Sequence, residues 1–495
     1  MLPAFRTLLL SASLVLPAYA PAAAQTPPVP ERTTLQNGDF SVTYPVRGVR
    51  REWWMIGDPD KADVAFDETV RHAGKPSMRV AGWSHLKGFG QQIDARPYRG
   101  KTLELKAHVR TADENGLVAS LWLRTDAEGK PLINVNMGAS SITGTNDWQS
   151  YAIRIWVQPS AEVINAGAFT TGSGTAWFAG FTLEEAAAPP VATGSAEIAD
   201  LDAAIGIMRE HYVHAGSVDW SALHARARAV FRSGAGAGDL HRTLSLLFQG
   251  MGERHALTIA PSIVDGRKTI DGANDGSGPL ADLLPGGIAR VRVPGLLTFD
   301  EQAADRYAAR LAAEIERVAA HATCGWIVDL GRNGGGTMWP MLAGLAALLP
   351  DAPLGHFRSA GKLTAWRIGD AGAFNGDDLQ QASAPSGRRA SRAAAPLAVL
   401  ISGETASSGE ATALAFKSRP ATRFFGSRTA GLTTVNTGFE LRDGGLLMLP
   451  TGVMLDARMA AYPDGIAPDE ARTGDADALS AASTWLARTC APAPR

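Results

Sequence analysis

Two short turns, each following an apolar run, gather the residue types that acyl-transfer chemistry requires. The first is Gly403-Glu404-Thr405-Ala406-Ser407-Ser408-Gly409-Glu410, after Pro396-Leu-Ala-Val-Leu-Ile401. A serine at a sharp strand-to-helix turn projects its hydroxyl, and the following N–H can donate to an oxyanion. Taken alone, the stretch reads equally well as an N-cap serine with Glu410 in the first helical turn. The second is Asp329-Leu-Gly331-Arg332-Asn333-Gly334-Gly335-Gly336-Thr337, after Gly325-Trp-Ile-Val. Three consecutive glycines let backbone N–H groups turn outward at the positive end of a following helix, where a phosphate or a developing oxyanion could sit. No Gly-Lys-Ser/Thr follows and the dinucleotide spacing is missing, so neither a P-loop nor a Rossmann turn is present.

A serine hydroxyl is a poor nucleophile without a positioned base. No lysine follows Lys417, whereas His255 stands in Gly252-Glu253-Arg254-His255-Ala256, just after a helix-period region. Imidazole suits proton transfer near neutral pH. His211 and His214 form a His-x-x-His with no third ligand motif nearby, so no metal site is read, and no organic cofactor is implied.

These elements must be positioned by a chain of 495 residues, enough for about three domains. Hydrophobic residues make up 45% and charged residues 19%, which excludes general disorder. Lys+Arg 47 against Asp+Glu 49 offers no concentrated basic face for nucleic acid. Met1–Ala24 carries Arg6, an apolar run and small-x-small sites, the layout of a secretory signal peptide. The mature protein is expected to be periplasmic or secreted, with no membrane span. Cys324 and Cys490 could pair in that oxidising space or remain two buried thiols.

Residues 32–186 alternate with period two between Gly, Asn and Asp turns, as in Leu117-Val-Ala-Ser-Leu-Trp-Leu-Arg124, and predict an all-β sandwich. Asn37-Gly38-Asp39-Phe40 and the closing Trp177-Phe178-Ala-Gly-Phe181 resemble jelly-roll modules found beside carbohydrate-active enzymes, which implies a glycan as a further partner. Trp53, Trp54, Trp83 and Trp122 offer either a sugar-stacking platform or core aromatics. A linker over 187–197 precedes a helical part at 198–256, where Leu201, Ala204, Ile205 and Met208 share one face. Residues 257–487 alternate strands and helices, the pattern of an α/β core. Within them Gly369–Ala395 is polar and rich in Gly, Ala and Arg, which reads as a surface excursion or lid. Phe425, Leu447 and Leu449 read as core, with a substrate side-chain pocket as the alternative.

The two turns, in this order, resemble those of the tail-specific, or C-terminal processing, protease family, which includes the tricorn core protease. His211-Tyr212, Val218-Asp219-Trp220, Gly426-Ser-Arg-Thr-Ala-Gly431 and Gly465-Ile466-Ala-Pro468-Asp469 extend the resemblance over about 198 to 470. Together with the jelly-roll resemblance of 32–186 it implies a multidomain chain: an N-terminal jelly roll, a helical cap and an α/β catalytic core of the ClpP/crotonase-like type. It further implies a serine peptidase acting on peptides or proteins, with Ser407 as nucleophile and the N–H groups of Ser408 and Gly336 as oxyanion donors. Many members use a lysine base, but Leu432 occupies that position here. The tricorn-like branch uses a histidine from a turn matched by His255. For the group orienting His255, Asp464 is the candidate, with Glu253 and Asp456 as fallbacks. The interval from His255 to Gly287 is too short for the PDZ domain that usually selects substrate C-termini. An esterase using the same residues, or a binding protein with a relic core, are the alternative readings.

Overall fold

The computed structural model describes residues 30–42, 52–56, 63–82, 87–127, 130–137, 141–187, 192–231, 237–259, 270–272, 278–350, 352–382 and 395–490. The leader expected over 1–24 and Trp83 lie outside them.

Period-two alternation produces the N-terminal unit. Two long strands, Thr102–Ala127 and Val163–Ala186, pair antiparallel along their length. Their first and last parts pair with different neighbours, so two layers face each other. In one layer Lys87–Asp94 pairs with Val163–Ala186 and Lys130–Asn136 pairs with Thr102–Ala127. In the other Lys75–Gly82 and Asn146–Trp156 fill the equivalent places. Phe89, Leu121 and Ala168 from the first layer meet Met78, Val109 and Phe178 from the second in one core. Trp53 is 1% exposed and Trp122 3% exposed, whereas Trp54 is 36% exposed and packs edge-on against Trp122. Two of these indoles therefore serve packing rather than an open platform.

Three helices follow, Ser195–His211, Trp220–Val230 and Ala237–Gly250. Asp219 caps the second by accepting the Ala222 N–H. Leu201, Met208, Leu244 and Leu247 form a cluster with Leu441, Leu447 and Leu449. Leu246, on the same third helix, joins the sandwich core instead, so that helix joins the sandwich to the C-terminal part of the chain.

The α/β core is a six-stranded sheet in the order Leu280–Leu284, Ile288–Arg292, Gly325–Asp329, Leu397–Ile401, Thr422–Gly426, Glu470–Ala471. Only its first pair is antiparallel. Parallel strands are covered on both faces, which is why Leu397–Ile401 is apolar at every position. Trp326, Val328, Val399 and Ile401 face the helices Glu301–Ala319, Met338–Gly344 and Ser408–Leu414. Ile327, Ala398, Leu400 and Phe425 face the C-terminal helix Asp475–Cys490. Phe425, Leu447 and Leu449 are thus core residues.

A second, antiparallel sheet is built around Leu446–Asp456, which pairs with Leu257–Ile259, Gly355–Ser359 and Thr434–Glu440. The stretch read as a lid is otherwise in its described part. Gly372–Asn375 and Asp378–Ala382 are strands of this sheet, and Ala373 is fully buried in the main core. Only Asp378–Ala382 lies at the sheet edge, and both strands are too short to show an alternating pattern, which hid them in the sequence. Among the described residues no helix is long and apolar enough to cross a membrane.

Cys324 and Cys490 form a disulfide, with Cα atoms 5.4 Å apart and a sequence separation of 166. It ties the end of the last helix to the start of the Gly325–Asp329 strand. Closing so long a loop restricts the unfolded chain, so replacing both cysteines by serine is expected to cost about 2–5 kcal/mol. Thermal melts of the variant, and of the parent with and without reductant, measure this. Equal midpoints would refute it.

Candidate active site

The site lies where the ends of the parallel strands meet the edge of the antiparallel sheet. The Leu397–Ile401 strand delivers the serine turn. Ser407 has φ 53° and ψ −116°, a conformation L-residues rarely adopt, at the head of the Ser408–Leu414 helix. Its N–H donates to Glu410 Oε2 at 2.9 Å. Glu410 is itself buried and also accepts from Thr429 Oγ1, Gly431 N and Leu432 N. Burial pushes its carboxyl above the usual range, opposed by those four hydrogen bonds. One carboxylate thus fixes both the serine turn and the 429–432 loop. Glu410 does what the capping reading expected while the turn still presents its hydroxyl, so the two readings of this stretch are compatible.

The Gly325–Asp329 strand delivers the glycine turn. Asn333, fully buried, accepts the Gly335 N–H on Oδ1 and donates through Nδ2 to Val293 O. Its carbonyl takes the Ala406 N–H at 3.0 Å, which locks the two turns together. Ser408 Oγ donates to Gly336 O at 2.6 Å, so the two segments expected to supply oxyanion donors are in direct contact. Gly335 and Gly336 have φ of 105° and 110°. A side chain on Gly335 would lie 2.9 Å from Ser407 Cβ, and one on Gly336 only 2.0 Å from Leu296 O. Only glycine fits either place.

His255 arrives from the opposite side, between the third helix and the Leu257–Ile259 strand. Its Nε2 lies 2.8 Å from Ser407 Oγ and its Nδ1 lies 2.6 Å from Thr434 Oγ1. With the proton on Nδ1, Thr434 accepts it and the Nε2 lone pair faces the serine O–H. The backbone is held as firmly. His255 N–H donates to Glu253 Oε1 at 2.5 Å, Tyr212 O–H donates to Glu253 Oε2 at 2.7 Å, and Asn436 Nδ2 donates to His255 O at 2.8 Å. Ser407 is 0% and His255 2% exposed. Burial, aided by the neighbouring Arg254 charge, lowers the imidazole to about 3, so the ring is held neutral.

Asp464 does not orient His255. It sits exposed on the turn closed by Gly465 N–H to Tyr462 O, and the Nδ1 position belongs to Thr434. A carboxylate beside Pro463 and Gly465 is a turn residue, as that local sequence favours. Asp456 accepts from Arg458 N, Ala460 N and Tyr462 O–H and is engaged there. Glu253 does act on His255, through the backbone rather than the ring. The reading of the sequence missed Thr434, Asn436 and Asn333. Asn333 lay inside the glycine motif and could have been singled out; nothing in Thr433-Thr434-Val435-Asn436 marks its neighbourhood to the ring.

Residues 288–472 match the model of "Peptidase family S41". The nisin-resistance protein of Lactococcus lactis subsp. lactis is 30% identical over 210 residues, 41% of this chain, and the matched region spans 61% of that relative's length. Among solved structures, a lipoprotein from Streptococcus agalactiae aligns over 61% of this chain and 99% of its own, at 23% identity and a TM-score of 0.49. A family 16 carbohydrate-binding module aligns over 25% of this chain and 86% of its own, at 14% identity and a TM-score of 0.21. The likeness to peptidase family S41 is thus carried by residues 288–472, most of the α/β core.

Proposed function

We propose that the chain is an exported serine peptidase that cleaves peptide bonds through an acyl-enzyme on Ser407. The observation carrying this is the 2.8 Å approach of His255 Nε2 to Ser407 Oγ while Nδ1 is held by Thr434. Ser407 Oγ attacks the carbonyl carbon as Nε2 takes its proton, and the imidazolium then protonates the departing amine. The N–H groups of Gly336 and Ser408 receive the oxyanion of the tetrahedral intermediate. Water, deprotonated by the same nitrogen, hydrolyses the ester and frees the serine. Thr434 supplies the tautomer control that a carboxylate gives in a Ser-His-Asp triad, with a neutral hydroxyl instead. The Cys324–Cys490 disulfide supports export to an oxidising compartment. A peptide or protein is the proposed substrate, and the half-exposed Trp54 face of the sandwich is the proposed contact for a glycan.

Fluorophosphonate labelling tests the reading, since only an activated serine reacts. The parent and Ser408→Ala are expected to label, and Ser407→Ala is not. Full labelling of Ser407→Ala would refute the nucleophile, and no labelling of the parent would leave a relic core. Casein against a short-chain p-nitrophenyl ester then separates peptidase from esterase.

A further inference from the structure

The residue beside the base is a cation with an unusual attachment. Arg254 is exposed, and its Nη2 donates to the backbone carbonyl of Ala430 at 3.0 Å. Ala430 belongs to the loop fixed by Glu410, and its own N–H donates to Thr405 O in the serine turn. The guanidinium therefore clasps the turn carrying His255 to the loop that shares Glu410 with Ser407. Ser407 and His255 themselves are almost completely buried. Among the described residues no carboxylate is placed within ion-pair distance of Arg254. The adjacent carboxylate, Glu253, is engaged by Tyr212 and by the His255 and Ala256 N–H groups. Among the described residues the hydrogen bond of Arg254 is to a neutral carbonyl, and a guanidinium so held keeps most of its donors for another acceptor.

Resting on the serine peptidase reading above, we propose that Arg254 selects substrates carrying a carboxylate next to the scissile bond, either an acidic side chain or a free C-terminus. The carboxylate takes the guanidinium from Ala430 O, because a charge-assisted, forked pair is stronger than a single bond to a neutral carbonyl. The same exchange releases the clasp and opens the way to Ser407. Recognition and opening are then one event, and a neutral or basic peptide lacks the group that triggers it.

The test uses the full chain and fluorogenic peptides that differ at one position flanking the cleaved bond, with Glu, Gln or Lys, each with a free or amidated C-terminus. The parent is expected to favour Glu over Gln by about tenfold or more in kcat/KM, and to disfavour Lys further. If the free C-terminus is the true ligand, amidation causes the loss instead. Arg254→Gln is expected to erase whichever preference appears while Ser407 still labels with fluorophosphonate. Arg254→Lys, which keeps the charge without the fork, should retain part of it. No carboxylate preference in the parent would overturn the proposal. So would an equal loss on all peptides in Arg254→Gln, which would mean general stabilisation of the oxyanion. Failure of the parent to label would fall on the serine peptidase reading itself, and on this one with it.

Discussion

His255→Ala is expected to lower kcat by a factor on the order of 10⁶, because removing one member of a nucleophile–base unit costs nearly as much as removing all of it. The unit is defined by the 2.8 Å contact to the Ser407 hydroxyl, which no other titratable side chain shares among the hydrogen bonds of the described residues. Thr434→Val should cost about 10–100-fold, because the base survives and only its aim and tautomer loosen. Asp464→Asn should stay within about twofold of the parent, since an exposed turn residue away from the ring has little to contribute. Steady-state kinetics on one fluorogenic peptide check all three. A large loss in Asp464→Asn with a near-normal Thr434→Val would reverse the assignment.

The same histidine sets an acid dependence whose sign is fixed. Its folded value, about 3, lies below the ordinary 6.5 because burial disfavours the charged ring. Between those values the unfolded chain binds a proton that the folded chain does not. His255 therefore contributes stability that is complete above the unfolded value and is lost as pH falls toward 3. Urea titrations at a series of pH values should show the parent losing stability more steeply than His255→Ala across that window. Parallel curves would refute it.

Gly335→Ala should lower kcat by about 10²–10³-fold, the range for disturbing an oxyanion site, with a smaller loss of stability. Its methyl group would stand 2.9 Å from Ser407 Cβ and 3.0 Å from Ala406 O, in a backbone conformation with φ 105°. Either the serine turn or the glycine turn must move, and Asn333 couples the two, so both would shift. Gly336→Ala meets the backbone carbonyl of Leu296 at 2.0 Å and should cost several kcal/mol as well as activity. Gly334→Ala is the control. That residue is exposed with nothing within 4 Å of an added carbon, so its effect should stay within about 0.5 kcal/mol. Melting temperature and kcat measured on the three variants decide the matter. Wild-type turnover in Gly335→Ala would show that the glycine turn does not approach the nucleophile.

The three glycines show how far a sequence reaches. Their run marks a turn, but only packing shows that two of them abut other backbone while the third faces solvent. The same holds for the carboxylates. Glu410 was visible as a capping residue, a relation three positions long, but its bonds to Thr429, Gly431 and Leu432 depend on a loop brought back by an intervening strand. Gly372–Asn375 and Asp378–Ala382 were hidden for a related reason, since strands of four and five residues are too short to show alternation and their pairing depends on distant neighbours.

Local pattern determined what local physics controls. Period-two runs required a sandwich, near-continuous apolar runs required strands covered on both faces, and strand-to-helix turns of small residues required exposed backbone at one end of the sheet. Ser407, His255 and the glycine turn were legible because each sits in a distinctive short context. The partner of His255 Nδ1 was not, because Thr434 reaches it through the pairing of Thr434–Glu440 with Leu446–Asp456, and of that strand with Leu257–Ile259. The pairing of Cys324 with Cys490 was likewise left open by the sequence, and was decided by the helix that packs the chain terminus against the sheet. Hydrogen bonds between residues far apart in the chain depend on the registers of several strands at once, and those registers are set only when the whole core is packed.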